Sequence, residues 1–102
     1  MSLFYIKVYN MEGVTMVAVC DEEILGKVFR EGDIVLNISS AFYEGKRVGI
    51  EEVIEVISTA DMVIVSGKRI VNELARRGLA PKEYALEVDG QLHLQIIRGV
   101  YE

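Results

Sequence analysis

The stretch from Val17 to Arg30 constrains the chain most: an apolar run halts at Cys20, and an acidic triplet, Asp21, Glu22 and Glu23, opens an amphipathic segment. The pattern reads as a strand feeding directly into a helix. Asp21 serves as a helix N-cap, Glu22 and Glu23 suit the positive end of the helix dipole, and Ile24, Leu25, Val28 and Phe29 recur at the spacing of one buried face. Gly32 then supplies a C-terminal stop, while Gly26 sits inside the helix at a cost of roughly 1 kcal/mol relative to alanine. A junction of this kind sets Cys20 and Asp21 beside the unpaired N–H groups of a helix start, where proteins bind anions or tune a thiol.

The same alternation runs through the rest of the chain. Leu3 to Tyr9 puts Phe4, Ile6 and Val8 on one face and Tyr5, Lys7 and Tyr9 on the other, a half-buried strand. Asn10 to Gly13 is its turn, and Val14 to Cys20 an antiparallel partner rich in β-branched residues. Asp33 to Ser39 alternates as a third strand, followed by a loop from Ser39 to Arg47. Ile50, Val53, Ile54 and Ile57 form the stripe of a second helix, with Glu51, Glu52 and Glu55 as its solvated side. Met62 to Val65 is apolar without alternation, as in a central strand covered on both faces. Ser66-Gly67-Lys68-Arg69 leads into a third helix over Ile70 to Arg77, closed by Gly78. A final hairpin spans Tyr84 to about Arg98 and turns at Asp89-Gly90. A three-residue loop, Val88 to Gly90, sorts its side chains best: Leu86 then faces Leu92 and Tyr84 faces Leu94, leaving Gln91, His93 and Gln95 on the polar face.

The expected architecture is a single α/β layered domain over residues 1–102, with a mixed, mostly parallel sheet of about six strands and three helices in the order ββαβαβαββ. The length suits one core. With half of its residues hydrophobic the chain is an ordinary globular protein, and its longest apolar run is far short of a membrane span. The opening residues alternate like a strand and lack a signal peptide's layout, so a cytoplasmic location is expected. One cysteine excludes an internal disulfide, and a single histidine beside it cannot complete a structural zinc set; no metal or cofactor is expected. A net charge of −5 argues against non-specific coating of nucleic acid, which lysines and arginines drive.

In open α/β sheets, ligands bind beyond the carboxyl ends of parallel strands. That edge is expected to collect Cys20 and Asp21, Ser39 to Tyr43, Ser66 to Arg69, and His93. Cys20 with His93 as base and Asp21 as orienting group would make a nucleophilic site. Buried cysteines are usually inert packing, however, and the flanking carboxylates oppose thiolate formation. Ser66, Gly67, Lys68 and Arg69 suit a phosphate, though they are no Walker loop; the plain alternative is the start of a solvated helix. Phe42 and Tyr43, next to Lys46 and Arg47, suit stacking on a base, or else plug the core.

These residues carry a resemblance over nearly the whole chain. Cys20-Asp21, Ile24-Leu25-Gly26-Lys27 with Phe29, Glu31-Gly32-Asp33, Phe42-Tyr43 with Gly45, Ala60-Asp61, and Gly90 with His93 and Gln95 resemble a small archaeal family known as domain of unknown function 424. Where that family suggests a Pro-His-Ala-Gln ending, this chain has Leu92, His93, Leu94 and Gln95. The resemblance implies an archaeal cytoplasmic protein, implies no activity, and implies that Cys20, Asp21, Lys27, Phe42, Tyr43, His93 and Gln95 form one surface.

Three functions follow as expectations. The first is a small binding domain for a phosphate-bearing ligand, a nucleotide or an RNA element, with Lys27, Lys46, Arg47, Lys68 and Arg69 supplying charge, Phe42 and Tyr43 stacking, and Gln95 a polar contact. The second is a cysteine-dependent hydrolase or transferase using Cys20 and His93. The third is an assembly module, a homodimer or the binder of a protein partner.

Overall fold

The computed structural model describes residues 2–98. Two long strands, β1 (Phe4–Met11) and β2 (Val14–Asp21), form the expected hairpin, turning through Glu12 and Gly13, both at positive φ. The chain then departs from expectation. A single 3-10 turn, Glu22–Ile24, stands where a helix was expected, and β3 (Val28–Glu31) and β4 (Ile34–Asn37) follow as a separate antiparallel ribbon. Gly26 and Gly32 both take positive φ, 83° and 61°, which ends the turn after one cycle and closes the ribbon at Gly32-Asp33. The apolar spacing of Ile24, Leu25, Val28 and Phe29 fits a helical face, but the β-branched and aromatic residues after Gly26 pair as a strand.

From there α1 (Ser40–Tyr43), β5 (Lys46–Val48), α2 (Ile50–Ile57), β6 (Met62–Ser66), α3 (Lys68–Arg76), β7 (Leu86–Val88) and β8 (Gln91–Ile97) complete the chain. The main sheet has six strands in the order β5-β1-β2-β6-β8-β7. Only β2 and β6 run parallel; the pairs β1–β2, β1–β5, β6–β8 and β7–β8 are antiparallel. The expected mostly parallel sheet is therefore corrected to a mostly antiparallel one. The expectation required each helix to carry the chain across to a parallel neighbour. With the first helix replaced by a ribbon, and β5 returning to the edge beside β1, one parallel pair is left.

The last hairpin also differs. Asp89 and Gly90 both have positive φ, 48° and 84°, and make a two-residue turn that pairs Val88 with Gln91 and Leu86 with His93. A three-residue loop separates polar from apolar faces, which assumes that one face of the hairpin meets water and the other meets the core. Here the ribbon layer buries Val88 on the same face as Gln91 and His93 while Leu86, two residues away on that face, stays 43% exposed, so neither face of the hairpin sorts by polarity.

Three layers result. On one face, Phe4, Ile6, Val17, Val19, Val63, Val65 and Leu94 meet Val53 and Ile57 of α2 and Ile70, Val71 and Leu74 of α3. On the other, Ala18, Cys20 and Val88 meet Ile24, Leu36, Ile38 and Tyr43 from the ribbon layer. Each fully buried Val or Ile contributes about 1.5–3 kcal/mol relative to exposure. β2 is thus buried on both faces. The ribbon layer joins β1 at Gly45, where an added Cβ would lie 2.2 Å from the carbonyl oxygen of Ile6. Gly45→Ala is expected to destabilise the protein by about 1–3 kcal/mol in urea unfolding, because the backbone of β1 must shift to admit it.

Candidate functional site

The carboxyl ends of β2 and β6 lie side by side, with Cys20 opposite Ser66. Strand alternation sends Cys20 and Ser66 to the ribbon face and Asp21 to the helix face. One residue beyond Ser66, Gly67 turns the chain into α3 at φ +124°, and an added Cβ there would lie 2.4 Å from the Asp21 carboxyl carbon. Asp21 reaches under this turn. Its carboxylate accepts the backbone N–H of Arg69 at 2.9 Å and of Ile70 at 2.8 Å, while the N–H of Lys68 donates to Gln91 Oε1 at 3.1 Å. Asp21 thus caps α3, forty-eight residues away from the helix start expected beside it. Burial pushes its carboxyl above the usual carboxylate range; the two N–H donors and the Arg69 guanidinium oppose that rise, and Glu23 adds to it. The first turn of α3 therefore has its anion already, supplied by the protein.

On the ribbon face a run of hydroxyls leads outward. Ser66 Oγ lies 2.8 Å from the buried Tyr43 hydroxyl and 2.8 Å from His93 Nδ1, and His93 Nε2 lies 3.4 Å from the Gln95 amide nitrogen. With the Gln95 amide donating to His93 Nε2, the imidazole carries its proton on Nδ1 and donates it to Ser66 Oγ, which donates in turn to the Tyr43 hydroxyl. Burial lowers the His93 pKa, so the ring is neutral at pH 7, and burial raises that of Tyr43. Cys20 lies in the same row but is fully buried. Its thiol is pushed up to about 12, first by burial and then by Asp21. β6 separates β2 from β8, so Cys20 and His93 are about 10 Å apart across two strand spacings, and Asp21 faces the opposite side of β2. The structure does not assemble a Cys20, His93 and Asp21 triad.

The remaining sequence-derived residues are dispersed. Lys46 pairs with Glu52 at 2.7 Å, Arg47 with Glu22 at 2.8 Å, and Arg69 with Glu23 at 2.6 Å. Lys27 is exposed before the ribbon, where its carbonyl accepts from Ile38. Phe42 stacks on Tyr9, with ring centroids 5.5 Å apart, and meets Tyr43 edge-on at 4.9 Å, so both rings belong to the packing of the ribbon layer. Of the surface implied by the family resemblance, Cys20, Tyr43, His93 and Gln95 gather on one face of the sheet, and Asp21 lies on the other.

A cavity of about 570 Å³ opens on the helix side of the same strand edge. Phe4 and Ile50 give it an apolar wall, Ser2 closes one end, and α3 contributes Lys68, Arg69, Asn72, Glu73 and Arg76. Of these three cations Arg69 is paired with Glu23 and Arg76 shares Glu73 with Arg77, which leaves Lys68 without a carboxylate partner among the described residues. Sequence reasoning reached Lys68 and Arg69 but missed Asn72 and Arg76. Their spacing held the signal: Lys68, Asn72 and Arg76 are four apart, one ridge of a helix. Among the described residues, no cluster of histidine, cysteine and carboxylates could hold a metal ion, and no helix is long and apolar enough to cross a membrane.

The buried thiol gives a direct check. Native protein at pH 8 is expected to resist labelling of Cys20 by a maleimide or disulfide reagent for as long as it stays folded, and to label fully in 6–8 M urea, as mass spectrometry would record.

Comparison with known proteins adds the fold and a family. The crystal structure of an uncharacterized conserved protein from Methanopyrus kandleri is similar to this one, with a TM-score of 0.69 and 22% sequence identity over 98% of this chain and 96% of that one. No curated protein matches the sequence. The model of the family described as "Protein of unknown function (DUF424)" matches residues 9–98, from the last three residues of β1 onward, and the chain belongs to that family.

Proposed function

We propose that this protein is a small binding domain for a phosphate-bearing ligand, held in the cleft between α3, the amino end of β1 and the start of α2. The observation that carries the reading is the excess of positive charge in that cleft, on a chain whose net charge is −5. Lys68 has no carboxylate within ion-pair distance among the described residues, and Arg76 has only a share of Glu73. A concave site with an apolar wall and a few convergent polar groups is the form that small-molecule sites take, and its volume suits a mononucleotide better than a length of RNA. The cleft also adjoins the carboxyl ends of the parallel pair, β2 and β6. Binding falls to side chains, because Asp21 and Gln91 already hold the first N–H groups of α3. Calorimetric titration with inorganic pyrophosphate checks this. Lys68→Ala and Arg76→Ala are each expected to weaken binding about tenfold, the size of one charge-assisted hydrogen bond, and Lys46→Ala to leave it unchanged. Equal affinity in all four proteins, or none in the wild type, overturns the reading.

A second reading, a homodimer, is favoured by a different observation. Tyr9, Met16, Met62 and Ile97 form one row across four strands on the ribbon face, and Met11 and Val14 extend it; Ile97 is 58% and Met11 50% exposed. These rows hold no carboxylate, so two copies meeting face to face bring no like charges together. Light scattering over a range of concentrations is expected to show a mass rising toward twice 11.4 kDa, and Ile97→Lys to hold it at the monomer value. A wild-type mass that stays at the monomer value removes the homodimer.

A further inference from the structure

The side chain of Arg69 is unlike the other cations of the cleft. Its Nε and one terminal nitrogen both donate to the Glu23 carboxylate, at 2.8 and 2.6 Å, and that nitrogen also donates to the Leu3 carbonyl at 2.9 Å. The guanidinium carbon lies 4.7 Å from the centroid of the Phe4 ring. The plane is therefore fixed in two ways, by in-plane hydrogen bonds at its edge and by an aromatic ring beneath it. Glu23 also neutralises its charge, which leaves Arg69 poorly placed to attract a phosphate. What remains is a flat, polarisable surface beside Lys68, in a group still 31% exposed.

From this geometry we infer that the ligand is a nucleotide, whose base stacks on the Arg69 guanidinium opposite Phe4 while its phosphate meets Lys68. The inference rests on the phosphate-bearing reading above. A planar guanidinium held over an aromatic ring extends the stack to a third planar group, and stacking of this kind accepts any base because every base has a π-face. The fixed edge matters for a further reason: Arg69 loses little freedom when the base arrives, so less of the stacking free energy is spent on ordering it.

Titration of isotopically labelled protein with inorganic phosphate, ribose 5-phosphate, adenosine 5′-monophosphate and uridine 5′-monophosphate separates the two claims. Both nucleotides are expected to bind at least tenfold more tightly than ribose 5-phosphate and to move the Arg69 Nε–H resonance upfield by ring current, a shift that the sugar phosphate does not produce. Arg69→Lys keeps the charge and removes the plane; it is expected to erase the nucleotide's advantage and to spare ribose 5-phosphate binding. Should that variant fold poorly, the ring-current shift in the wild type decides alone. Nucleotides that bind no better than ribose 5-phosphate, or without the Arg69 shift, overturn the stacking and leave the phosphate reading standing. No binding by any of the four compounds overturns both.

Discussion

The carboxylate of Asp21 on the first turn of α3 is the contact around which the edge of this protein is built. It joins the end of β2 to a helix that begins nearly fifty residues later, and so fixes α3 over the sheet. Two backbone N–H groups depend on it, and each would cost about 1–3 kcal/mol if left buried and unpaired. Gly67 follows from the same contact: any Cβ at that position would occupy the space of the carboxylate, and the φ of +124° disfavours other residues as well. The cost of burying Asp21 is what raises its pKa. The helix start and Arg69 offset that cost, and one arrangement thereby holds both α3 and the cleft wall in place.

The second organising constraint is cover on both faces of β2 and β6. A central strand of a mostly antiparallel sheet commonly has one wet face, but here the β3–β4 ribbon and α1 close the face that the helices do not. The ribbon layer buries Cys20 and Ser66 together with Tyr43, which explains why polar atoms sit so deep without being orphaned. Tyr43, Ser66 and His93 satisfy one another in series, and among the described residues no buried side-chain nitrogen or oxygen lacks a partner. The same packing that orders this series excludes water from the Cys20 thiol.

Much of this was legible in the sequence wherever one residue pattern had one physical meaning. The β1–β2 hairpin, the stripe of α2 from Ile50 to Ile57, the doubly covered Met62 to Val65, and α3 after Ser66-Gly67 all read correctly from alternation and spacing. Failure came where two readings competed. Ile24, Leu25, Val28 and Phe29 match a helical face, and only the backbone angles of Gly26 and Gly32 select the ribbon instead; a sequence shows a glycine but not its φ. Asp21 reads as a local cap because its long-range partner is invisible before the fold is known. The hairpin register escapes the sequence for a related reason, since the ribbon layer that buries Val88 is not visible before the fold is known. Lys46, Arg47 and Arg69 look like free cations in one dimension, and their partners Glu52, Glu22 and Glu23 appear only in three.

That last contrast decides how charge can act here. An exposed ion pair is worth at most about 1 kcal/mol to stability, yet it removes a cation from the field that a ligand meets. Pairing at Lys46 and Arg47 therefore silences the β5 edge, whereas in the cleft Lys68 and Arg76 stand beside one lining carboxylate, Glu73, with Arg69 already paired to Glu23. The surplus sits on one helix face, within reach of an apolar wall. An acidic protein can present an anion site in this way without a basic surface, provided that its own glutamates are spent on some cations and withheld from others. The two partners of Arg69 show the division most clearly: Glu23 takes its charge and Phe4 takes one of its faces, so that in the proposed site the attraction falls to Lys68 and the shape to Arg69.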